Sequence, residues 1–330
     1  MKKIINPKTG KKVSINGKIG KKILSNYKTS KKITRKNPKK KYPDLPEKTS
    51  AIISYNLSWA TQDDKVAGSE KNFVKYCKRQ ASITSYNKSL SKLSYCTNNV
   101  ANFLTNMVKK YNLEIIGFQE PSIDNIEIIK TIINNKSVEI YETFHSKKYN
   151  MVASIAIMYN TKLGKPINIS EGDLHPGNGR PFQILFFPKV KYLIINSHWQ
   201  HDLLVSEYNS KFVELQNKVK TGFKRKSLSL STISRIIFMG DFNDHRKRLH
   251  KNKNQFTIDF LGRTLTCGDI QENGIPKTCC YNPPKIPVGN SLSTKSDYIL
   301  DTETQKYFGV PHEYPINIPN SDHLPIIGLI

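Results

Sequence analysis

Short apolar runs of four to eight residues recur along most of the chain. They read AIISY (51–55), LEIIGF (113–118), VASIAIMY (152–159), QILFF (183–187), YLIIN (192–196), RIIFM (235–239), DYIL (297–300) and LPIIGLI (324–330). Each is too short for an ordinary helix and too continuously apolar for an exposed strand, so buried β-strands are predicted. Helical spacing appears in two places. Residues 89–110 place Leu90, Leu93, Val100, Phe103, Leu104, Met107 and Val108 on one face, and 206–223 do so with Tyr208, Phe212, Leu215 and Val219. Strands mixed with helices, without strict alternation, indicate a layered α/β sandwich more than a barrel. No internal repeat is visible.

Polar residues sit at one end of six of these runs. Asn56 follows AIISY, Gln119 and Glu120 follow LEIIGF, Asn196 and His198 follow YLII, and Asp241 and Asn243 follow IIFMG. The last two runs are reversed: Ser296 and Asp297 precede YIL, and Ser321, Asp322 and His323 precede LPIIGLI. If those two strands run antiparallel to the other four, all six polar sets meet at one rim. Any one of them alone reads as a cap or turn; their shared polarity is what points to a site.

These residue types suit phosphoryl transfer. A hard divalent cation takes oxygen ligands, commonly one or two carboxylates plus substrate phosphate. Glu120, with Asp241, Asn56 or Asp322 nearby, meets that need. Asp297 beside His323 would form a carboxylate–imidazole pair that fixes the ring tautomer. His201, three residues after His198, reads as a loop residue.

Charge narrows the partner. The formal net charge is +26, and residues 1–48 alone carry 17 Lys and Arg against two acids, Asp44 and Glu47. Both this tail and the remainder are basic, which favours a polyanion, nucleic acid before an anionic membrane. Residues 1–48 hold too little apolar surface to offset chain entropy and are expected to be a disordered tail and proline-containing linker. Residues 49–330 form the expected globular domain. Its segment 245–253, HRKRLHKNK, reads first as a solvated basic loop, and its position near the rim also offers a phosphate-backbone contact. The five cysteines are odd in number and irregularly spaced, so neither a disulfide framework nor a zinc knuckle is predicted. With no signal-peptide core and no membrane-length apolar run, a soluble intracellular protein of the nucleus, cytoplasm or virion is expected.

Taken in order, SYNLSW, IIGFQE, GRPF, NSHWQ, MGDFND, SDYIL and SDHLP resemble the motifs of the endonuclease/exonuclease/phosphatase, or DNase I-like, superfamily, over about residues 50–330. The resemblance implies a four-layered α/β sandwich, two face-to-face β-sheets flanked by helices, and Mg²⁺-dependent phosphoester cleavage, with Mn²⁺ as a substitute. By position, Asn56, Glu120 and Asp322 resemble metal-side residues, Glu120 being the direct ligand. Asp241 resembles the carboxylate that activates water and Asn243 its phosphate-orienting neighbour. His323 resembles the histidine that grips the scissile phosphate or acts as base, paired with Asp297. His198 matches a second histidine, and Arg180 a phosphate-side arginine. One departure is Ser58, where some DNA-repair members carry Asp. Separately, NPKTGKK near the N-terminus resembles lysine-rich NPxTG segments of large DNA virus proteins.

The implied function is hydrolysis of nucleic-acid phosphodiester bonds, with DNA slightly favoured over RNA. A phosphatase or lipid phosphodiesterase of the same superfamily is one alternative. A non-enzymatic nucleic-acid-binding protein on the same fold is the other.

Overall fold

The computed structural model describes residues 3–5, 12–14, 48–58, 77, 95–145, 154–175, 180–201, 203–244, 257–267, 297–311, 314, 321 and 323–330. The chain divides into two compact units, Met1–Pro46 and Glu47–Ile330. In the first, β1 (Lys3–Ile5) and β2 (Lys12–Ser14) pair antiparallel, with Ile4 opposite Val13.

The second unit is built on two sheets. One has six strands: β3 (Ser50–Asn56), β4 (Asn112–Gln119), β5 (Tyr141–His145), β6 (Ile155–Asn160), β14 (Tyr307–Gly309) and β15 (Ile326–Leu329), ordered β14-β15-β3-β4-β6-β5. The other has seven: β7 (Ile167–Asp173), β8 (Pro181–Phe187), β9 (Tyr192–His198), β10 (Arg235–Asp241), β11 (Thr257–Phe260), β12 (Arg263–Thr266) and β13 (Asp297–Asp301). Their order is β11-β12-β13-β10-β9-β8-β7. Helices α1 (Tyr95–Lys110) and α2 (Ile123–Lys136) pack with the first sheet, and α3 (Val205–Arg225) packs with the second. This is the expected four-layered sandwich.

Every apolar run forms a strand, and the conjecture about polarity holds. β3 and β4 are parallel, as are β9 and β10, whereas β13 opposes β10 and β15 opposes β3. The sheets approach closely at Gly117, where an added Cβ would lie 2.4 Å from Met239 Sδ. Under α3, the Trp199 ring stacks on Phe242 with centroids 5.2 Å apart, and Phe212 and Phe238 complete the cluster. Aromatic rings at such separations add to their area burial, so this cluster anchors the chain on both sides of Asp241.

Two features differ from the sequence reading. Helix α2 and strands β5, β7, β11, β12 and β14 are additional to the predicted elements, although Ile126, Ile129, Ile132 and Ile133 of α2 recur at helical spacing and are buried. The cysteines also differ from expectation, because Cys77 and Cys96 form a disulfide with Cα atoms 5.0 Å apart. Their pairing follows from packing, since the first turn of α1 meets the buried Cys77, whose carbonyl accepts from Asn99 Nδ2 at 2.9 Å.

Candidate active site

Three adjacent strands of the seven-stranded sheet join residues that are distant in the chain. At the end of β10, Asp241 lies in register with His198 on β9 and with Asp297 on β13. Paired residues project to the same face of a sheet, so these side chains stand in a row. The six-stranded sheet supplies the facing wall: Asn56 ends β3, Glu120 follows β4, and His323 precedes β15.

Asp241 is the hub. Its Oδ2 accepts from Asn56 Nδ2 at 3.0 Å, and its Oδ1 accepts from the Asn243 backbone N–H at 2.9 Å. His323 Nε2 lies 3.7 Å from Oδ2. The Ser58 N–H donates to Asn56 Oδ1 at 2.9 Å. That contact uses backbone, so the Ser in place of Asp at this position does not disturb the orientation of Asn56. Burial pushes the Asp241 carboxyl up to about 7; a charged His323 opposes the rise, Asp297 adds to it, and the Asn243 and Asn56 donors oppose it.

His323 Nδ1 is 2.9 Å from Asp297 Oδ2, so a proton on Nδ1 is held by the carboxylate and Nε2 turns toward Asp241. Ser321 Oγ accepts the His323 N–H at 3.2 Å and donates to the Asn56 carbonyl at 2.8 Å, tying the two strand ends together. The ligand atoms of Asp241, Asp297 and His323 all fall within 4.8 Å of one another.

His198 is fully buried, and burial drives its ring well below the usual imidazole range; nearby Arg180, His323 and His201 push the same way. The ring is therefore neutral, and Nε2 accepts from Arg180 Nη1 at 2.6 Å. Nε2 also lies 3.6 Å from Glu120 Oε1 and 3.7 Å from Asp241 Oδ2. With a neutral ring those two contacts are proximities, and the fixed positive charge here is that of Arg180. The Arg180 N–H is held by Asp173 Oδ1 at 3.0 Å.

The expected residues thus converge, with three qualifications of place. Asp322 and the loop 245–253 lie outside the described residues. Asn243 donates its Nδ2 to the Trp199 carbonyl at 2.7 Å, so it braces the loop that carries Asp241. Asn196 does not stand at the rim. It is buried between the sheets, donating to the Phe118 and Ala156 carbonyls at 3.0 Å each and accepting from Gln119 Nε2 at 2.7 Å. Sequence reasoning missed Asp173 and this amide contact. The only signal was a polar residue near each strand end, with Asn196 two residues inside β9, Gln119 ending β4 and Asp173 ending β7. His201 is exposed in the turn after β9, as expected.

The rim donors are mainly carboxylate and amide oxygens, the ligand type of a hard divalent cation. The side chain of Glu120 is 22% exposed against 2% for His198, so the carboxylate opens outward. The donor set fits such an ion.

No protein-family model and no curated protein matches the chain by sequence. Solved structures do match by shape. ANGEL2, described as a 2',3'-cyclic phosphatase, is 12% identical, covers 87% of this chain and 98% of its own, and has a TM-score of 0.51. Its complex with adenosine-2',3'-vanadate is 13% identical, covers 86% of this chain and 95% of its own, and also has a TM-score of 0.51. Truncated Caenorhabditis elegans TDP2 is 14% identical, covers 85% of this chain and 97% of its own, and has a TM-score of 0.48. With its two mixed sheets between helical layers, the chain has the endonuclease/exonuclease/phosphatase, or DNase I-like, fold.

Proposed function

We propose that the chain is a divalent-metal-dependent phosphodiesterase that hydrolyses nucleic-acid phosphodiester bonds, DNA slightly ahead of RNA. The observation that carries this reading is Asp241, a buried carboxylate held by two amide donors and faced by two histidines. Hydrolysis needs an acceptor for the proton of water and donors for the charge that develops on the phosphate oxygens. With its carboxyl raised to about 7, Asp241 is a stronger base than an ordinary aspartate and orients the attacking water. Asp297 holds the His323 ring by Nδ1, which turns Nε2 toward Asp241, where it would donate to a phosphate oxygen. Arg180 brings fixed charge, and neutral His198 steadies it through Nη1. Asn243 keeps the Asp241 loop in place beside the phosphate.

Glu120, with Asn56 and Asp322, would hold Mg²⁺ or Mn²⁺; when bound, such an ion supplies Lewis-acid stabilisation of the phosphoryl oxygens. The net charge of +26 supports a polyanionic substrate. The adenosine-2',3'-vanadate complex of ANGEL2 supports a nucleotide phosphoester on this fold.

The test uses the full chain, stripped of metal and then supplied with Mg²⁺ or Mn²⁺. Substrates are plasmid DNA, a single-stranded oligonucleotide, polyadenylate and an inositol phosphate. Metal-dependent cleavage of the nucleic acids is expected. Both Asp241→Asn and His323→Ala should lower kcat by orders of magnitude with a smaller change in KM. Turnover of the inositol phosphate alone would replace this reading with the phosphatase one. Binding without any turnover would replace it with a non-enzymatic binding protein.

A further inference from the structure

The strands that end at the catalytic rim begin at the opposite end of the sandwich. Along β9, from Tyr192 to His198, that is about 20 Å at the usual strand rise. Two turns and the end of a helix meet there. They are the β6–β7 connection, the β8–β9 hairpin and the C-terminus of α3, and they carry Lys165, Lys189, Lys191, Lys224, Arg225 and Lys226, all exposed.

Backbone contacts hold the three segments together. An added Cβ on Gly164 would lie 3.0 Å from Lys189 Cβ, so residue 165 follows directly beside the hairpin. Arg225 Nη2 donates to the Ile169 carbonyl at 3.2 Å, and Phe223 packs on Phe186 with centroids 5.1 Å apart. The Ser234 N–H donates to the Lys191 carbonyl at 2.8 Å, which returns the chain after α3 to the same hairpin.

Some other cations of the fold have acidic partners, although among the described residues the exposed Lys109, Lys136, Lys220 and Lys306 make no ion pair. Lys130 meets Glu127 at 2.6 Å, and Lys211 and Lys218 meet Glu214 at 2.9 and 3.3 Å; at the pole itself Lys162, three residues before Lys165, meets Glu139 at 2.6 Å. Buried Arg235, at the same end of the sheet, meets Asp301 at 2.6 Å. Among the described residues none of the six exposed pole cations makes an ion pair. They repel one another within a distance that physiological salt screens only in part, the Debye length being about 8 Å. Glu139 and Asp301 at this end are taken up by Lys162 and Arg235, so the six cations leave a net positive pole.

We propose that this pole is a second nucleic-acid surface, which grips the phosphate backbone of long substrates at a distance from the catalytic rim. The inference rests on the nucleic-acid reading for the identity of the polyanion, but not on turnover. Adjacent strands lie about 4.8 Å apart and a packed layer about 10 Å away, so the patch spans about 15 Å. At one phosphate per about 3.4 Å of strand, that length matches about four phosphates. A membrane fits less well, because insertion needs apolar side chains beside the cations. Among the described residues the large exposed apolar side chains near these turns are few: Ile140, whose carbonyl accepts the Thr161 N–H at 2.9 Å, adjoins the β6–β7 connection, and none lies on the turns themselves.

The test compares the full chain with a variant carrying Lys189→Ser, Lys191→Ser, Lys224→Ser and Lys226→Ser, after unfolding curves have shown that both are folded. Binding to a long duplex is measured without metal across a salt series, and turnover is measured on a dinucleotide. The slope of log K against log salt should fall by up to about 3.6, at about 0.9 for each of the four duplex phosphates no longer neutralised, with dinucleotide turnover unchanged. A control variant, Lys211→Ser with Lys218→Ser, removes the same type of charge from paired positions and should leave the slope alone. An equal slope in the pole variant and wild type would overturn the proposal and make the pole a solvated face. Wild-type binding to phosphatidylserine vesicles but not to duplex would overturn it in favour of a membrane. A reduced slope with no turnover of any phosphodiester would support the pole while overturning the catalytic reading.

Discussion

Replacing Asn196 by Leu tests whether one buried amide holds the two sheets in catalytic register. The side chain is fully buried and makes three hydrogen bonds. It gives two to the carbonyls of Phe118 and Ala156 in the opposite sheet and accepts one from Gln119 Nε2. Leucine has the same branched four-atom skeleton and is bulkier, so the change removes polar contacts and leaves no cavity. Each hydrogen bond contributes about 1 kcal/mol net, and a buried partner left without one costs about 1–3 kcal/mol. Gln119 Nε2 retains only a longer contact, 3.3 Å to Ser54 Oγ. The expected destabilisation is therefore about 3–5 kcal/mol, a large part of the roughly 5–15 kcal/mol typical of a domain.

Urea unfolding measures it as a lower midpoint at unchanged m-value. Gln119→Leu, combined with it in a double-mutant cycle, should show a coupling of about 1–2 kcal/mol, because both single variants break the same 2.7 Å bond. Function should change as well, because Gln119 adjoins Glu120 and Asn196 stands two residues before His198. A slip between the sheets widens the 3.6 Å approach of Glu120 to His198. Under the proposed mechanism, kcat falls and the metal requirement rises. A destabilisation below about 1 kcal/mol, with additive single effects, would refute the reasoning.

Glu120→Gln should raise the Mg²⁺ concentration needed for activity, since it removes one charge from a hard-cation site; wild-type activity at low Mg²⁺ would show that Glu120 is not the ligand. Acid titration tests Glu127. Burial raises its carboxyl, but hydrogen bonds from Lys130, Thr143 and His145 outweigh burial and hold it at about 2, below the ordinary 4.5. Its folded value lies below its unfolded one, so its contribution is full above about 4.5 and disappears as pH falls toward 2. Glu127→Gln should flatten the stability–pH curve in that window, and an unchanged curve would refute the assignment. The Cys77–Cys96 link spans 19 residues, a loop for which cross-linking stabilises by about 3 kcal/mol. Oxidised protein should therefore become less stable on reduction, and a Cys77→Ser, Cys96→Ser variant should show no such difference.

Much of the fold was legible because a strand buried on both faces leaves a continuous apolar run, as RIIFMGD in β10 does. The site was legible because carboxylates, amides and histidines at strand ends have no place in a core. The rest depends on contacts between segments, which periodicity does not carry. Asn196 looked like a rim residue because it stands two residues from a strand end, and only the facing sheet gives it partners. Asp173 looked like an ordinary acid in a polar stretch, yet it fixes the backbone of Arg180. Cys77 and Cys96 had no spacing signal because their pairing needs only proximity in space.

The loops that carry the site also have a cost that residue types alone do not reveal. Ser58, Glu120 and Asn243 all adopt left-handed backbone, with φ of 49°, 53° and 51°. For residues with a Cβ this conformation costs about 1–2 kcal/mol each. Glycine would relieve the strain, and at Gly240 the chain does use glycine, where an added Cβ would lie 1.9 Å from the Ser197 carbonyl. At 120 glycine would remove the carboxylate that faces His198, and at 243 the amide that holds Trp199. Both side chains are needed in a conformation that disfavours them, and the neighbours hold them there: the Glu120 N–H donates to Ser154 O at 3.1 Å and the Asn243 N–H to Asp241 Oδ1 at 2.9 Å. Strain kept at two facing strand ends, and offset by bonds of which the one from Asn243 also orients Asp241, is what a site shaped for geometry leaves in a backbone.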